Sequence, residues 1–206
     1  LGNRYGYEPG QRLGRYRAGL MPESMPGPTL WIHASSVGEV QAAVILVEAL
    51  LARGKAQRIV LSSTTEQGHR MAMDRLGSKV ACVLAPLDLP PAVDRAIRFF
   101  HSDLYIGLET ELWPALLASL GRVGVPKLLL NGRLSERSFG RYLKIRSFIA
   151  PLVSGFQALA VITAADGKRF AALGAPEARI RVCGNIKYDM PVEQESEKQR
   201  RLRARL

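Results

Sequence analysis

The sequence predicts a Rossmann-like α/β domain, a parallel sheet with helices on both faces. Three observations lead there. Short apolar runs alternate regularly with longer stretches of helical period. The short runs are near-continuously apolar, as strands covered on both faces must be. Glycines and prolines stand at the joints, at Gly54, Pro90-Pro91 and Gly174.

Residues 1–29, rich in Gly, Pro, Arg and Tyr, read as an irregular basic arm. The domain proper is expected over 30–190. Leu30 to Ser35 is the first strand. A helix follows from about Val37 to Arg53, with Val40, Ala43, Val44, Val47, Leu50 and Leu51 at helical spacing and Gly54 as its stop. Arg58 to Ser63 is the second strand and Thr65 to Leu76 the second helix. Lys79 to Ala85 is the third strand. Pro90 to His101 is a helix whose Pro-Pro start suits a first turn and whose face is Val93, Ile97 and Phe100. Leu104 to Leu108 is the fourth strand, Trp113 to Val123 a helix, and Lys127 to Asn131 the fifth strand. One long helix is expected over Ser135 to Val153. Then come a strand at Ala158 to Ile162, a helix over Asp166 to Leu173 and a strand at Ile180 to Cys183. Residues 191–206 are a charged tail, or the start of a linker to a further domain.

The 206 residues suffice to bury a sizeable core, and 47% apolar with 23% charged residues is ordinary for a globular chain. The net charge of +11 is not ordinary, and it points to an anionic partner or to scattered surface lysines and arginines. Cys82 and Cys183 lie in apolar segments and read as buried free thiols. Neither cysteine joins a metal-spaced cluster, and His33, His69 and His101 are far apart, so no metal site is expected. No run approaches the length of a membrane span. The chain begins at Leu1, and a preceding anchor stays open.

In such sheets ligands bind beyond the C-terminal strand ends, where the strand order reverses, so the strand-to-helix turns are where chemistry is expected. The first turn is His33-Ala34-Ser35-Ser36-Val37-Gly38-Glu39-Val40. Ser36-x-x-Glu39 matches a capping box, in which serine and glutamate satisfy free backbone amides. Glu39 equally suits a general base at a helix start, with Ser35, Ser36 and Gly38 around a polar ligand. The two readings compete for one side chain. The fourth turn carries Glu109 and Glu111, which share a side if the chain is extended and diverge if Glu111 enters the helix. The fifth turn opens with Asn131-Gly132-Arg133, and Arg137, Arg141 and Lys144 follow at intervals of four and three. That stripe suits phosphate, or is simply a solvated face. Gly184-Asn185-Ile186-Lys187 offers one further cation. No Gly-x-Gly-x-x-Gly, P-loop or Gly-x-Ser-x-Gly is present, so dinucleotide, triphosphate and serine-hydrolase chemistry lack support.

Five stretches in order resemble the N-terminal domain of the transferases of 3-deoxy-manno-octulosonic acid (Kdo). They are Trp31 to Glu39, Pro86-Leu87-Asp88, Glu109 to Pro114, Asn131 to Ser138 and Gly184 to Asp189. The resemblance spans about residues 30–190. It implies the acceptor half of a GT-B glycosyltransferase, with the CMP-Kdo donor held by a C-terminal domain that is absent after Asp189, so that this chain alone is expected to be inactive. It further implies transfer of Kdo to a lipid A precursor at the cytoplasmic face of the bacterial inner membrane, with no catalytic metal and no cofactor. Glu39 inherits the role of base, and Glu109 and Glu111 supporting roles. Ser35, Ser36, Gly38, Asn131, Arg133, Arg137, Arg141 and Lys187 are the expected acceptor contacts. The family commonly has Asn-Ala-Arg where this chain has Gly132, which is expected to loosen that turn.

A non-catalytic domain that binds anionic glycolipid or a membrane surface is the rival reading. Nucleic acid is not an expected partner. Its one motivation beyond charge is the arm, where Arg4-Tyr5-Gly6-Tyr7 and Arg15-Tyr16-Arg17 interleave rings and cations.

Overall fold

The computed structural model describes residues 8–20, 27–54, 58–110 and 112–189. Seven strands form one parallel sheet: β1 (Thr29–Ala34), β2 (Arg58–Ser63), β3 (Ala81–Leu84), β4 (Leu104–Leu108), β5 (Lys127–Gly132), β6 (Ala158–Val161) and β7 (Ile180–Val182). Their order is β3-β2-β1-β4-β5-β6-β7. Every neighbouring pair is parallel, with His33 opposite both Ser62 and Gly107. The order reverses between β1 and β4, and the crevice of the fold opens there.

Successive strand residues feed two cores, which is why the strands are continuously apolar. Leu30, Ile32, Ile59, Leu61, Ile106 and Leu108 pack with α2 (Val37–Ala52) and α3 (Glu66–Leu76) on one face. Trp31, Val60, Val83, Tyr105, Leu129 and Val161 face the other side. There they meet α4 (Pro90–Phe100), α5 (Pro114–Arg122), α7 (Arg146–Ser154) and α8 (Ala164–Leu173). Each fully buried Val, Leu or Ile side chain stabilises the fold by roughly 1.5–3 kcal/mol. The expected fold class is thus the observed one.

The long helix expected over Ser135 to Val153 is two helices. α6 (Glu136–Lys144) and α7 break at Ile145, whose backbone leaves the helical region at φ −120°. Apolar periodicity runs through the break and conceals it. Pro151 sits inside α7. Cys82 is buried and Cys183 is exposed, so the expectation of two buried thiols holds for one. β7 is an edge strand, and only one side of it packs.

The described part of the arm carries one helical turn, α1 (Pro9–Arg12), and lies across the C-terminal ends of β2 and β3. Buried Arg12 donates to the carbonyls of Ala85 (3.0 Å) and Thr64, and Gln11 Oε1 accepts from the Leu84 amide at 2.6 Å. Gly14 makes the close approach to α4. Its φ is +73°, and a Cβ there would stand 2.1 Å from the Ala92 carbonyl oxygen. The Tyr16 hydroxyl donates to Leu84 O at 3.2 Å, and burial pushes its pKa up while Arg12 opposes the shift. Arg4-Tyr5-Gly6-Tyr7 and the tail 191–206 lie outside the described residues.

Candidate active site

Glu39 enters the crevice from the first turn of α2. It is 7% exposed. The Ser35 amide donates to its Oε2 at 2.8 Å and the Ser36 hydroxyl to its Oε1 at 2.7 Å. Ser36 is the N-cap, and its Oγ accepts from the Glu39 amide at 3.3 Å. This departs from a standard capping box, in which the carboxylate returns to the amide of the N-cap itself. Thr163 and Asp166 form the standard version at the start of α8. At α2 the carboxylate reaches one residue further back, to Ser35. The capping role expected of Glu39 is thus met in altered form, and the group that finishes the helix end lies at the switch point.

Ser35 is gripped at every polar atom. Besides its amide bond to Glu39, its carbonyl accepts from the Thr65 amide at 3.1 Å. Its hydroxyl lies 3.2 Å from His33 Nε2 and 3.0 Å from Thr64 Oγ1. The Ser35 amide, expected to face a ligand, is thus spent on Glu39. Below Ser35, His33 Nδ1 lies 2.9 Å from Ser62 Oγ, which accepts from Trp31 Nε1 at 2.8 Å. The His33 ring meets Trp113 edge-on with centroids 5.8 Å apart. The sequence alone gives His33 no role. The available signal was its alternation with Ser35 on one strand end, opposite a serine-rich strand end.

The second centre is built by two left-handed residues at successive strand ends. Glu109 has φ +58° and Asn131 φ +55°. Non-glycine residues seldom adopt this region, and it recurs at functional sites. Lys187 Nζ donates to Glu109 Oε1 at 2.6 Å, and the Ile186 amide donates to Asn131 Oδ1 at 3.1 Å. Both bonds hold a 3-10 turn, Ile186–Asp189, back over the crevice. A Cβ at Gly38 would stand 3.5 Å from Lys187 Nζ, so this cation borders the start of α2. Asn131 Nδ2 is buried with no hydrogen-bond partner. Glu109 is not extended, which removes the premise for two same-sided acids. Glu111 lies outside the described residues.

Gly132 is not a loose turn residue. It closes β5, and a Cβ there would stand 3.1 Å from Val161 Cγ1 and 3.2 Å from Leu129 Cδ2. The register of β5 against β6 shifts between Leu129 and Gly132, around left-handed Asn131. Asp88 caps α5 by accepting from the amides of Ala115 (3.1 Å) and Leu116 (2.8 Å). Arg133, Arg137, Arg141 and Lys144 are exposed. Arg141 Nη2 donates to Ser138 Oγ at 3.2 Å. Beside them, Leu143, Ile145 and Phe148 are 42%, 49% and 57% exposed. The stripe is therefore mixed, basic and apolar, which the basic residues alone did not reveal.

Among the described residues no three His, Cys, Asp or Glu side chains gather as metal ligands, and no helix is long and apolar enough to cross a membrane.

Residues 8–190 match the family model of 3-deoxy-D-manno-octulosonic-acid transferase (kdotransferase). The chain is 36% identical over 192 residues to the 3-deoxy-D-manno-octulosonic acid transferase of Haemophilus influenzae, covering 93% of this chain and 44% of that protein. It is 31% identical over 159 residues to the enzyme of the same name from Rickettsia prowazekii, covering 77% and 34%. The chain thus spans less than half the length of these relatives. Among solved structures, UDP-GlcNAc 2-epimerase from Neisseria meningitidis bound to UDP-GlcNAc has a TM-score of 0.58 at 9% identity, over 78% of this chain and 48% of that one. The S. aureus MnaA–UDP co-structure has a TM-score of 0.59 at 15% identity, over 86% and 52%. These two likenesses are of fold alone.

Proposed function

The chain belongs to the 3-deoxy-D-manno-octulosonic-acid transferase family, and from that premise we propose that it is the acceptor-side half of a GT-B Kdo transferase, with Glu39 as its catalytic base. The donor is CMP-Kdo, bound by a second domain. The acceptor is a hydroxyl of a phosphorylated lipid A precursor.

The observation that carries this reading is the setting of Glu39. A nearly buried carboxylate stands at the reversal point of the sheet, oriented by Ser35 and Ser36. In the step proposed, the acceptor oxygen bonds to the anomeric carbon of Kdo, its proton passes to Glu39, and CMP leaves with the electrons of the broken bond. Orientation by fixed neighbours matters because a base must lie within hydrogen-bond reach of the proton it takes.

Arg133, Arg137, Arg141 and Lys144 supply cations on the rim that follows β5. Phosphate accepts bidentate bonds from arginine. Exposed Leu143, Ile145 and Phe148 beside them suit the boundary of an anionic bilayer, where basic and apolar side chains act together. In this reading the domain works at the cytoplasmic face of the inner membrane, where its lipid acceptor would lie.

The test is transfer by Glu39→Gln in the two-domain enzyme. Loss of turnover with acceptor binding retained is the expected result. Transfer at the parent rate rules out Glu39 as base.

A further inference from the structure

Three polar side chains line a groove at the end of the sheet opposite Glu39. The groove has a volume of about 320 Å³ and is walled by Ile97, Arg98, His101, Ser102, Val123 and Val125. It lies where α4 and α5 end and just before β4 begins. Ser102 is 6% exposed, and its hydroxyl oxygen is buried with no hydrogen-bond partner. Buried hydroxyls ordinarily have one. His101 ends α4 in the left-handed region, at φ +45°. Glycine is the usual residue there, so an imidazole is held where a side chain is disfavoured. Among the described residues the side chains of Arg98 and His101 make no hydrogen bond or ion pair. The acids near Arg98 in sequence are engaged elsewhere. Asp94, one helical turn before it, accepts from Arg122 at 2.7 Å, and Asp103 Oδ2 accepts from the Thr29 amide at 2.8 Å. The rest of the wall is apolar. Val123 is 53% exposed, Ile97 belongs to the core and Val125 packs against it.

The geometry points to a second binding site in this groove, for a small soluble molecule with an oxyanion head and a short alkyl body. Arg98 supplies the charge for the head, and its planar fork matches a carboxylate or a phosphate. Ser102 and His101 supply hydrogen bonds beside it. Ile97, Val123 and Val125 cover the alkyl part. The carbonyl ends of α4 and α5 border the groove and disfavour an anion, so the head depends on the Arg98 charge. The volume stands at the low end of ligand pockets, roughly 300–1,000 Å³, which suits a small molecule rather than a helix or a strand. The site does not depend on the role of Glu39, because β4 runs its full length between the groove and the crevice.

Hexyl phosphate is the probe. Titrated into the chain and followed by methyl and amide NMR, it should shift Ile97, Ser102, Val123 and Val125 with a Kd of about 1 mM or tighter. Inorganic phosphate has only the head and hexanol only the body, and each should bind at least about fivefold more weakly. Arg98→Gln should weaken the probe by about fivefold or more, and Ser102→Ala by about threefold. Val123→Asp places a carboxylate at the mouth and should abolish binding. Arg98 and Val123 are exposed, so these two variants test the groove without testing the fold. No shift in the groove at about 10 mM probe would mean that water alone serves Ser102, and it overturns the site. Equal affinity in the parent, Arg98→Gln and Val123→Asp also overturns it, as do shifts confined to Arg133–Lys144. A response to phosphatidylglycerol vesicles without one to hexyl phosphate would make a lipid surface the ligand and defeat the soluble one.

Discussion

Lys187 Nζ lies 2.6 Å from Glu109 Oε1 and ties the last described turn of the chain to the end of β4. Both side chains remain about a quarter to a third exposed, 25% for Glu109 and 31% for Lys187. Solvent screens such a pair, so its value is local. A double-mutant cycle over Glu109→Gln and Lys187→Met should give a coupling of about 0.5–1 kcal/mol. Glu109→Gly removes the side chain from a left-handed backbone that disfavours it by about 1–2 kcal/mol. Its melting temperature should therefore equal or exceed the parent's while amide exchange over 186–189 accelerates. Slower or unchanged exchange in that variant rules out the tether.

Glu39 has a structural part and a chemical one, and substitutions separate them. Glutamine keeps an acceptor for Ser35 or Ser36, so Glu39→Gln should unfold within about 1 kcal/mol of the parent. Alanine leaves the Ser35 amide unpaired near the core, and Glu39→Ala should lose about 1–3 kcal/mol. Denaturant melts of the two variants decide this. Negligible losses in both would mean that the side chain contributes nothing to the helix end, and equal losses of that larger size would mean that the amide cannot stand in for the carboxylate.

The mixed face of α6 and the start of α7 predicts binding to anionic vesicles that salt weakens. Arg137→Glu with Arg141→Glu should abolish co-sedimentation with phosphatidylglycerol vesicles, since each cation near such a surface is worth about 1 kcal/mol. Phe148→Asp with Ile145→Asp should weaken it at any salt concentration. Binding that ignores both pairs would move the membrane contact elsewhere.

The two thiols should behave oppositely. Exposed Cys183 should react with a thiol reagent in the folded chain, and Cys82 only on unfolding. Burial pushes the Cys82 pKa from 9.0 to about 12. The folded state therefore keeps a proton that the unfolded state releases. Stability from this group is complete below pH 9.0 and is lost as pH rises toward about 12. Cys82→Ala should flatten that part of a pH–stability curve relative to the parent. An unchanged curve would show that the thiol is not the group responsible.

Burial of Lys127 shows the limit of reading charge from sequence. The lysine opens β5 and is 6% exposed, with Nζ near Gly121 and Gly155, and desolvation lowers its pKa. In sequence it is one of 29 basic residues with no distinguishing mark. The same limit applies to the break at Ile145, where apolar spacing continues although the helix does not.

The sequence by itself determined the strands, most of the helices and the turn that bears Glu39, because period and turn chemistry are properties of neighbouring residues. It also marked Asn131, Glu109 and Lys187 as residues of interest. Only the tertiary structure decided how they pair. Lys187 meets Glu109 across 78 positions, and His33 meets Ser62 across 29. Such contacts follow from strand order and register, which place distant segments side by side, and local sequence does not encode that order.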